Sequence, residues 1–250
     1  MVERTDRYGK AIERADGRDF PFWDGNPLAL RAWQWVVIVL ACVVAINVLS
    51  WYPAHDNVQS LVPRFLFTAI PLAVFIAFTR GRWSRIFQRT TGRDFLTMVL
   101  FAIANIIVTF LVGVIVKTVF GATANTAANG IHGAAELISF YVGTAIQLFG
   151  EELFTILPSL AVMALCHRLG LTRKQAILVA WLATAVWFGA AHLPTYGWNV
   201  AQALLVIGVA RLVLTLAYIR TKNIAVSTGA HILNDWVIFT FTIVATGALL

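Results

Sequence analysis

Two adjacent carboxylates, Glu151 and Glu152, interrupt an apolar run that extends from about residue 137 to residue 165. If that run spans a bilayer, both lie near its middle. A carboxylate inside a membrane is costly unless it is protonated, paired or hydrated, so such a residue marks a functional site by default. Neighbours on a helix point about 100° apart, so the two cannot face the same way. We expect one to do chemistry and the other to hold a partner in place.

Two further hydrophobic segments carry groups that could act with these carboxylates. His192 ends one segment, and His231 and Asp235 in another are four residues apart, so they share a helix face. A carboxylate can accept a proton from water, a histidine can position that water or protonate a leaving amine, and nearby donors can stabilise an oxyanion. Such a set suffices for acid–base hydrolysis. The plainer interpretation is an interfacial histidine and a structural pair, but the co-occurrence of all these groups favours a site.

The composition is that of a membrane protein. The chain has 250 residues, 59% hydrophobic and 12% charged, with a mean hydropathy of +0.77. Soluble domains are about 45–50% apolar and about 25% charged. The net charge of +7 predicts no nucleic-acid partner, because Lys and Arg cluster in short loops between apolar runs. Cys42 and Cys166 fall in apolar runs, so we expect no disulfide framework.

The hydrophobic pattern predicts an all-α, polytopic helical bundle with about seven transmembrane helices over residues 32–250. A polar tail over residues 1–31 precedes it, and we expect this tail to be loosely ordered and to contain no cleavable signal peptide. The fourth span contains Pro158, which predicts a kink or a break. The predicted spans are 33–49, 63–79, 95–120, 134–165, 175–192, 198–219 and 224–250.

The basic residues predict an orientation. Sixteen of the nineteen Lys and Arg residues lie in the tail, the 80–94 loop, the 167–174 loop and the 220–223 turn, which alternate with loops that are almost uncharged. Such asymmetry indicates a cytoplasmic N-terminus. We therefore expect label to reach residues near Arg85 from the cytoplasm and residues near Asn129 from outside. The design is typical of a bacterial plasma membrane protein. The sequence shows no internal repeat, which disfavours a proton-coupled transporter that uses Glu151 as a relay.

The polar residues resemble the motifs of the CAAX prenyl protease and bacteriocin-processing family, also called CPBP or Abi. The family signature is Glu-Glu-x-x-x-Arg, then Phe-x-x-x-His, then His-x-x-x-Asn or Asp. Glu151-Glu152 matches the start of the first motif, Phe188 to His192 matches the second, and His231 to Asp235 matches the third. The resemblance covers about residues 134–245, which we take as the catalytic region.

The resemblance implies an intramembrane endopeptidase acting on a membrane-associated peptide or protein, with CAAX-type processing as one form of it. Glu151 would activate water with help from His192, and His231 and Asp235 would hold the oxyanion or the scissile carbonyl. Within this pair we expect His231 to donate to the oxyanion and Asp235 to orient the His231 ring. Glu151, His192 and His231 could also ligate zinc by residue type. No metal-binding spacing is present, however, and the glutamate-dependent mechanism implied by the resemblance requires no metal. We therefore expect no cofactor, with zinc as the alternative.

One motif position departs from the family pattern. Ile156 stands where the motif has arginine, and this favours an alternative in which the protein is a non-catalytic member that binds or regulates a membrane partner. Arg211 is the basic residue deepest inside a predicted span, where an unpaired arginine is costly. We hypothesise that Arg211 pairs with Glu152 and supplies the missing charge.

If the helices were straight and perpendicular to the membrane, the three motifs would lie at different depths in it. At about 1.5 Å per residue, Glu151 and His192 lie about 24–27 Å from the basic ends of their spans, but His231 lies about 10 Å from its own. To bring them together, we predict that Pro158 breaks the fourth helix and that the fifth and seventh helices begin below the membrane.

Overall fold

The computed structural model describes residues 6–125, 127–128, 131 and 133–245. The first five residues of the predicted tail, Asn129 and the last five residues of the predicted seventh span therefore lie outside the described residues. Within the described ranges the fold is all-α, without strands. A 3₁₀ turn (Trp83–Ile86) precedes the third helix, and a π-helical segment (Gln202–Ile207) runs directly into the sixth. The helices are α1 (Ala32–Trp51), α2 (Leu61–Thr79), α3 (Gly92–Phe120), α4 (Gly133–Arg168), α5 (Arg173–Ala191), α6 (Gly208–Thr221) and α7 (Ile224–Ala245).

The helices confirm the predicted membrane bundle. In the described part of the chain, six segments are long and apolar enough to cross a bilayer, namely α1 to α5 and the combined stretch Gln202–Thr221. Helix α7, which carries His231 and Asp235, is not among these six. All seven predicted spans nevertheless coincide with helical segments to within a few residues.

Helix α4 is the central element. It packs against α1, α2, α5 and α7, and each residue from 150 to 160 is buried. Two glycines let α2 approach closely: a Cβ on Gly150 would lie 2.6 Å from the Thr68 hydroxyl, and a Cβ on Gly143 would lie 2.6 Å from the Arg64 guanidinium. Small residues serve this purpose between membrane helices in general.

The predicted break at Pro158 is wrong. Helix α4 is continuous over its 36 residues, and Pro158 lies inside it. A proline inside a helix leaves the carbonyl four residues earlier without its N–H partner. Here that carbonyl belongs to Phe154, and the indole Nε1–H of Trp187 donates to it at 3.1 Å. A side chain of α5 thus satisfies the group that Pro158 leaves free, and the helix passes through intact.

The tail differs from the loosely ordered segment that its polar composition predicts. Residues 6–31 form no helix, but Phe20, Phe22 and Trp23 are buried in the same apolar cluster as the ends of α4 and α5. The carboxylate of Glu13 is also buried and accepts hydrogen bonds at 2.6 Å from both Arg173 and Lys222. The aromatic side chains and the buried ion cluster together hold the tail against the bundle.

The electrostatics of this cluster favour ionised Glu13. Burial alone would raise the pKa of Glu13, but hydrogen bonds from Arg173 and Lys222 outweigh it and hold this pKa at about 2. Burial also lowers the pKa of Lys222 to about 8, although its contact with Glu13 opposes that change. The tail is therefore attached by a carboxylate that stays charged at neutral pH.

The tail gathers the basic connections at one end of the bundle, which we call the basic end. Arg14 pairs with Asp94, Arg82 donates to the carbonyl of Pro27, and Arg168 donates to that of Leu30. The other end holds residues 52–60, 121–125 and 192–201, and we call it the opposite end. There Thr123 and Gln202 exchange hydrogen bonds of 2.8 and 2.9 Å.

Candidate active site

A cavity of about 350 Å³ lies between α3, α4, α6, α7 and the last turn of α5. All four residues predicted to be catalytic line it, although they come from three separate helical segments. The same cavity contains two of the predicted supporting residues, Phe188 and Arg211. The predicted catalytic residues in its wall are Glu151, His192, His231 and Asp235.

Glu151 presents one carboxylate oxygen to the cavity. Its Oε1 accepts a hydrogen bond of 2.9 Å from the amide of Gln147, one helical turn earlier. Its Oε2 lies 3.7 Å from Nε2 of His231. Gln147 fixes the orientation of the Glu151 carboxylate, whose second oxygen, Oε2, faces the imidazole of His231.

Glu152 lies beneath the cavity and is fully buried. Its Oε1 is 3.0 Å from Nδ1 of His231 and 2.6 Å from Nη2 of Arg211. The ion pair that we hypothesised between Arg211 and Glu152 is therefore present. An ionised carboxylate only accepts hydrogen bonds, so Nδ1 of His231 carries the proton in this contact. Its Nε2 then points into the cavity.

Asp235 does not make the orienting contact with His231 that we expected of it. Its Oδ1 lies 3.8 Å from Nε2 of His231, beyond hydrogen-bond distance. It accepts instead from the amide of Asn234 at 2.7 Å, and Asn234 in turn accepts from Asn105 of α3 at 3.0 Å. This chain of amides draws the Asp235 carboxylate along the cavity wall, and Glu152 orients the imidazole in its place.

His192 directly follows α5 and is held by the last turn of that helix. Its Nδ1 lies 2.8 Å from the carbonyl oxygen of Phe188. Because a carbonyl only accepts, Nδ1 carries a proton, and in the neutral ring Nε2 is left free to accept one. The Phe188 ring lies 4.5 Å from the His192 ring and 6.4 Å from the His231 ring, so one aromatic side chain spaces both histidines.

Residues 133–237, which contain all of these site residues except Asn105, match the family model described as Type II CAAX prenyl endopeptidase Rce1-like. This part of the chain is similar to that family, whose description names an endopeptidase. The matched range begins at the first residue of α4 and ends within α7. Neither a curated protein nor a solved structure gave a significant match.

Ile156, which stands at the position of the motif arginine, does not line the cavity. Ile156 is fully buried in the apolar cluster on the basic side of Glu152, with Leu153 and Leu160. Arg211 contacts Glu152 from α6 and lies 5.0 Å above the Phe188 ring. A guanidinium therefore reaches Glu152 from another helix.

The π-helical segment before α6 makes its closest contact with α5. A Cβ on Gly189 would lie 2.6 Å from the carbonyl oxygen of Ala203, so the two backbones touch there. π-Helical turns often occur at functional sites. Here the segment leads directly into α6, and both contribute residues such as Ile207 and Arg211 to the cavity wall.

The mismatch in helix heights is resolved by a recessed turn. Thr221, Lys222, Asn223 and Ile224, which connect α6 to α7, are all buried. Glu13 of the tail binds Lys222, and the backbone N–H of Gln88 donates to Asn223 at 3.1 Å. Helix α7 therefore starts inside the protein, and its third turn reaches the level of Glu151 without a break in α4. The expectation for where α5 and α7 lie relative to a membrane stays a prediction.

Sequence reasoning missed several polar residues that line the cavity. Asn105 is the one amide side chain in the long apolar run of α3, and its place near the middle of that run was the available signal. Arg64 sits near the start of α2 and seemed to be a loop charge. Each of the others lies within four residues of a predicted site residue, as Asn234 lies next to Asp235. The missed residues are Arg64, Asn105, Gln147, Tyr196 and Asn234.

The zinc alternative was tested against the geometry of the donors. Across residues 6–125, 127–128, 131 and 133–245, no three His, Cys, Asp or Glu side chains are grouped as a metal site requires. Both Nδ1 atoms of the candidate histidines are engaged, with Phe188 and with Glu152. Zinc ligands lie about 2.0–2.2 Å from the metal. Neither Nε2 atom is engaged in these contacts, and the expectation that the site needs no metal stays a prediction. The steps below use the side chains alone.

Proposed function

We propose that this protein is an intramembrane endopeptidase that hydrolyses a peptide bond in a membrane-associated peptide or protein. The observation that carries the proposal is the convergence of Glu151, His192 and His231 on one polar cavity inside a membrane bundle. The match of residues 133–237 to the Type II CAAX prenyl endopeptidase Rce1-like family model supports the reaction class.

Glu151 is the general base. Its free oxygen takes a proton from a water molecule, and the water oxygen attacks the carbonyl carbon of the peptide. The Nε2 of His192 accepts a hydrogen bond from the same water and positions it. The proton held by Glu151 then passes to the leaving nitrogen, the carbon–nitrogen bond breaks, and the products are a carboxylic acid and an amine.

His231 stabilises the oxyanion that forms at the attacked carbonyl. To do so it must carry protons on both nitrogens, because Nδ1 donates to Glu152 while Nε2 donates to the oxyanion. The carboxylate of Glu152 favours this doubly protonated ring, and Arg211 keeps that carboxylate ionised. Asp235 adds a second negative group on the far side of Nε2.

A second candidate is a non-catalytic member of the family that binds a membrane partner. The observation that favours it is Ile156, which is buried in the apolar cluster at the motif position of an arginine. In that case the cavity would hold a peptide without cleaving it.

Cleavage of a reporter peptide by the purified protein separates the two candidates. We expect Glu151→Gln to lose about 10²–10⁴-fold in rate, the contribution of a general base. Glu136→Gln is the matched control, because Glu136 lies on the same helix but accepts from Asn57 at the opposite end. An unchanged rate in folded Glu151→Gln would reject Glu151 as the general base, and binding without cleavage in the unmodified protein would reject the peptidase and favour the alternative.

The orientation belongs to the same proposal. The basic end faces the cytoplasm, as the distribution of Lys and Arg indicates, and the membrane is the plasma membrane of a bacterium. What supports this is that the tail and the basic connections meet at one end of the bundle.

A further inference from the structure

The cavity occupies the middle and the opposite end of the bundle. Asn125 and Thr195, which belong to connections at the opposite end, are exposed and form its mouth. Among the described residues, none that lines the cavity belongs to residues 80–94, 168–174 or 219–224, which form the basic end. The site is thus reached from one end of the molecule.

On the other side of the site, an apolar cluster closes the path to the basic end. Helix α4 is buried on all sides from Gly150 to Leu160. Leu153, Leu157 and Leu160 pack there in one cluster with the aromatic side chains of the tail. Beneath these, the Glu13 ion cluster covers the turn between α6 and α7. A hydrated peptide has no polar route through this layer.

A separate apolar groove of about 440 Å³ runs along α1, α4 and α5. Its wall includes Leu40, Pro158 and Trp187, and it shares no lining residue with the polar cavity. A lipidated substrate needs an apolar surface continuous with the cleavage site, since burial of its chain is what drives binding. The polar cavity has an apolar lining of its own, for example Leu148 and Phe239, but it is separate from this groove and adds amides and hydroxyls such as Asn105, Asn234 and Thr144.

We propose that the substrate is an unprenylated peptide segment that enters the cavity from the extracytoplasmic side of the membrane. This inference rests on the proposed function and on the proposed orientation. A prenylated chain end in the cytoplasm would meet the sealed basic end. A segment that emerges from the outer leaflet meets the open mouth, where backbone-like amides can bind an extended chain.

Access is tested first, without reference to activity. Gln147→Cys places a thiol inside the cavity, Thr195→Cys places one at its mouth, and Ser84→Cys places one at the exposed basic end. The native Cys42 and Cys166 are buried and stay in place. A membrane-impermeant thiol reagent is added to sealed right-side-out or inside-out vesicles.

We expect the Gln147→Cys and Thr195→Cys variants to be labelled in right-side-out vesicles and the Ser84→Cys variant in inside-out vesicles. Labelling of Gln147→Cys and Ser84→Cys from the same side would overturn the one-sided access. If Gln147→Cys and Ser84→Cys were labelled from opposite sides, but Ser84→Cys from outside, the one-sided access would stand and the orientation would be reversed. That result would overturn the proposal of an extracytoplasmic substrate.

Cleavage is tested with two single-span reporters in the same vesicles. One carries its test segment on the extracytoplasmic side, and the other carries a farnesylated CAAX end on the cytoplasmic side. We expect cleavage of the first reporter, lost in Glu151→Gln, and at least tenfold slower cleavage of the second. Preferred cleavage of the farnesylated reporter would overturn this inference while the proposed peptidase stands. Cleavage of neither reporter, in vesicles or in detergent, would overturn both.

Discussion

The two halves of α4 lie in opposite surroundings. From Leu153 to Leu160, toward the basic end, the helix is enclosed by apolar side chains and by the tail. From Thr144 to Glu151, toward the opposite end, one face borders a polar cavity. Glu152 stands at the boundary, where its carboxylate has no exposed surface and meets Arg211 and His231.

This contrast shows how a membrane bundle can hold charges in its middle. The apolar half is rigid and gives α4 a fixed position, and its packing keeps water on one side of the site. The polar half supplies hydration and hydrogen-bond partners to Glu151, which a fully apolar setting would protonate or expel. The groups that we propose to be catalytic thus occupy the border between the halves, and the predictions below perturb each half in turn.

The largest effect is expected at the border itself. Glu152→Gln and Arg211→Gln each leave a buried charge without its partner, which costs about 3–5 kcal/mol. The double variant should be destabilised by clearly less than the sum of the two. The measurement is thermal unfolding of the four proteins in detergent. Glu136→Gln combined with Arg211→Gln is the control pair and should be additive, and additive losses in the test pair would refute the coupling.

The polar half is probed by comparing two residues of α7. His231→Ala should reduce the cleavage rate by about 10²-fold or more, the effect of losing an oxyanion donor. Asp235→Asn should keep substantial activity, because Glu152 rather than Asp235 contacts the imidazole nitrogen Nδ1. Rates at saturating reporter give the comparison. If folded Asp235→Asn were as inactive as His231→Ala, the negative charge of Asp235 would be essential and its assigned role would be wrong.

The apolar half is probed through the tail. Glu13 has a lowered pKa, so its stabilising contribution is present above its ordinary value near 4.5 and is lost as the pH falls toward about 2. Glu13→Gln should lower stability at pH 7 by about 2–3 kcal/mol, the scale of hydrogen bonds to charged groups. It should also flatten the stability profile below pH 4.5.

Unfolding curves across pH provide this measurement, and Asp24→Asn serves as the control because Asp24 is exposed on the same tail. A Glu13→Gln variant with an unchanged pH profile would show that the ion cluster does not hold the tail.

The smallest effect is expected from removal of metal ions. A strong chelator should leave the cleavage rate unchanged, because the proposed steps use Glu151 and the two histidines without a ligand. His192→Ala, assayed alongside, should abolish cleavage. A chelated protein that loses activity and regains it with zinc alone would make Glu151, His192 and His231 metal ligands and would discard their assigned roles.

The sequence alone predicted the helices and the four residues Glu151, His192, His231 and Asp235, which converge on the cavity. Charged groups are rare inside membrane segments and must find partners, which is why Arg211 could be paired with Glu152 before any contact was known. The continuity of α4 could not be read in the same way, since it depends on the indole of Trp187, 33 residues from the carbonyl that it satisfies.

The tail was hidden by its composition. Mixed charges over residues 3–19 suggested a loosely ordered segment, yet Glu13, Arg14 and Asp19 form ion pairs with side chains far along the chain. The sequence could not show that Glu152 rather than Asp235 orients His231. The spacing of residues on α7 carries no information about a carboxylate that approaches from α4.

The contacts of Glu13 constrain the order in which the protein can fold during its synthesis. Its partners Arg173 and Lys222 lie 160 and 209 residues later in the chain, so the tail leaves the ribosome long before its docking site exists. During insertion of six successive helices the aromatic residues Phe20, Phe22 and Trp23 have no native surface to cover. The basic end can therefore close only after translation has passed the α6–α7 turn, and docking of a segment that is synthesised before all seven helices becomes one of the last steps of assembly.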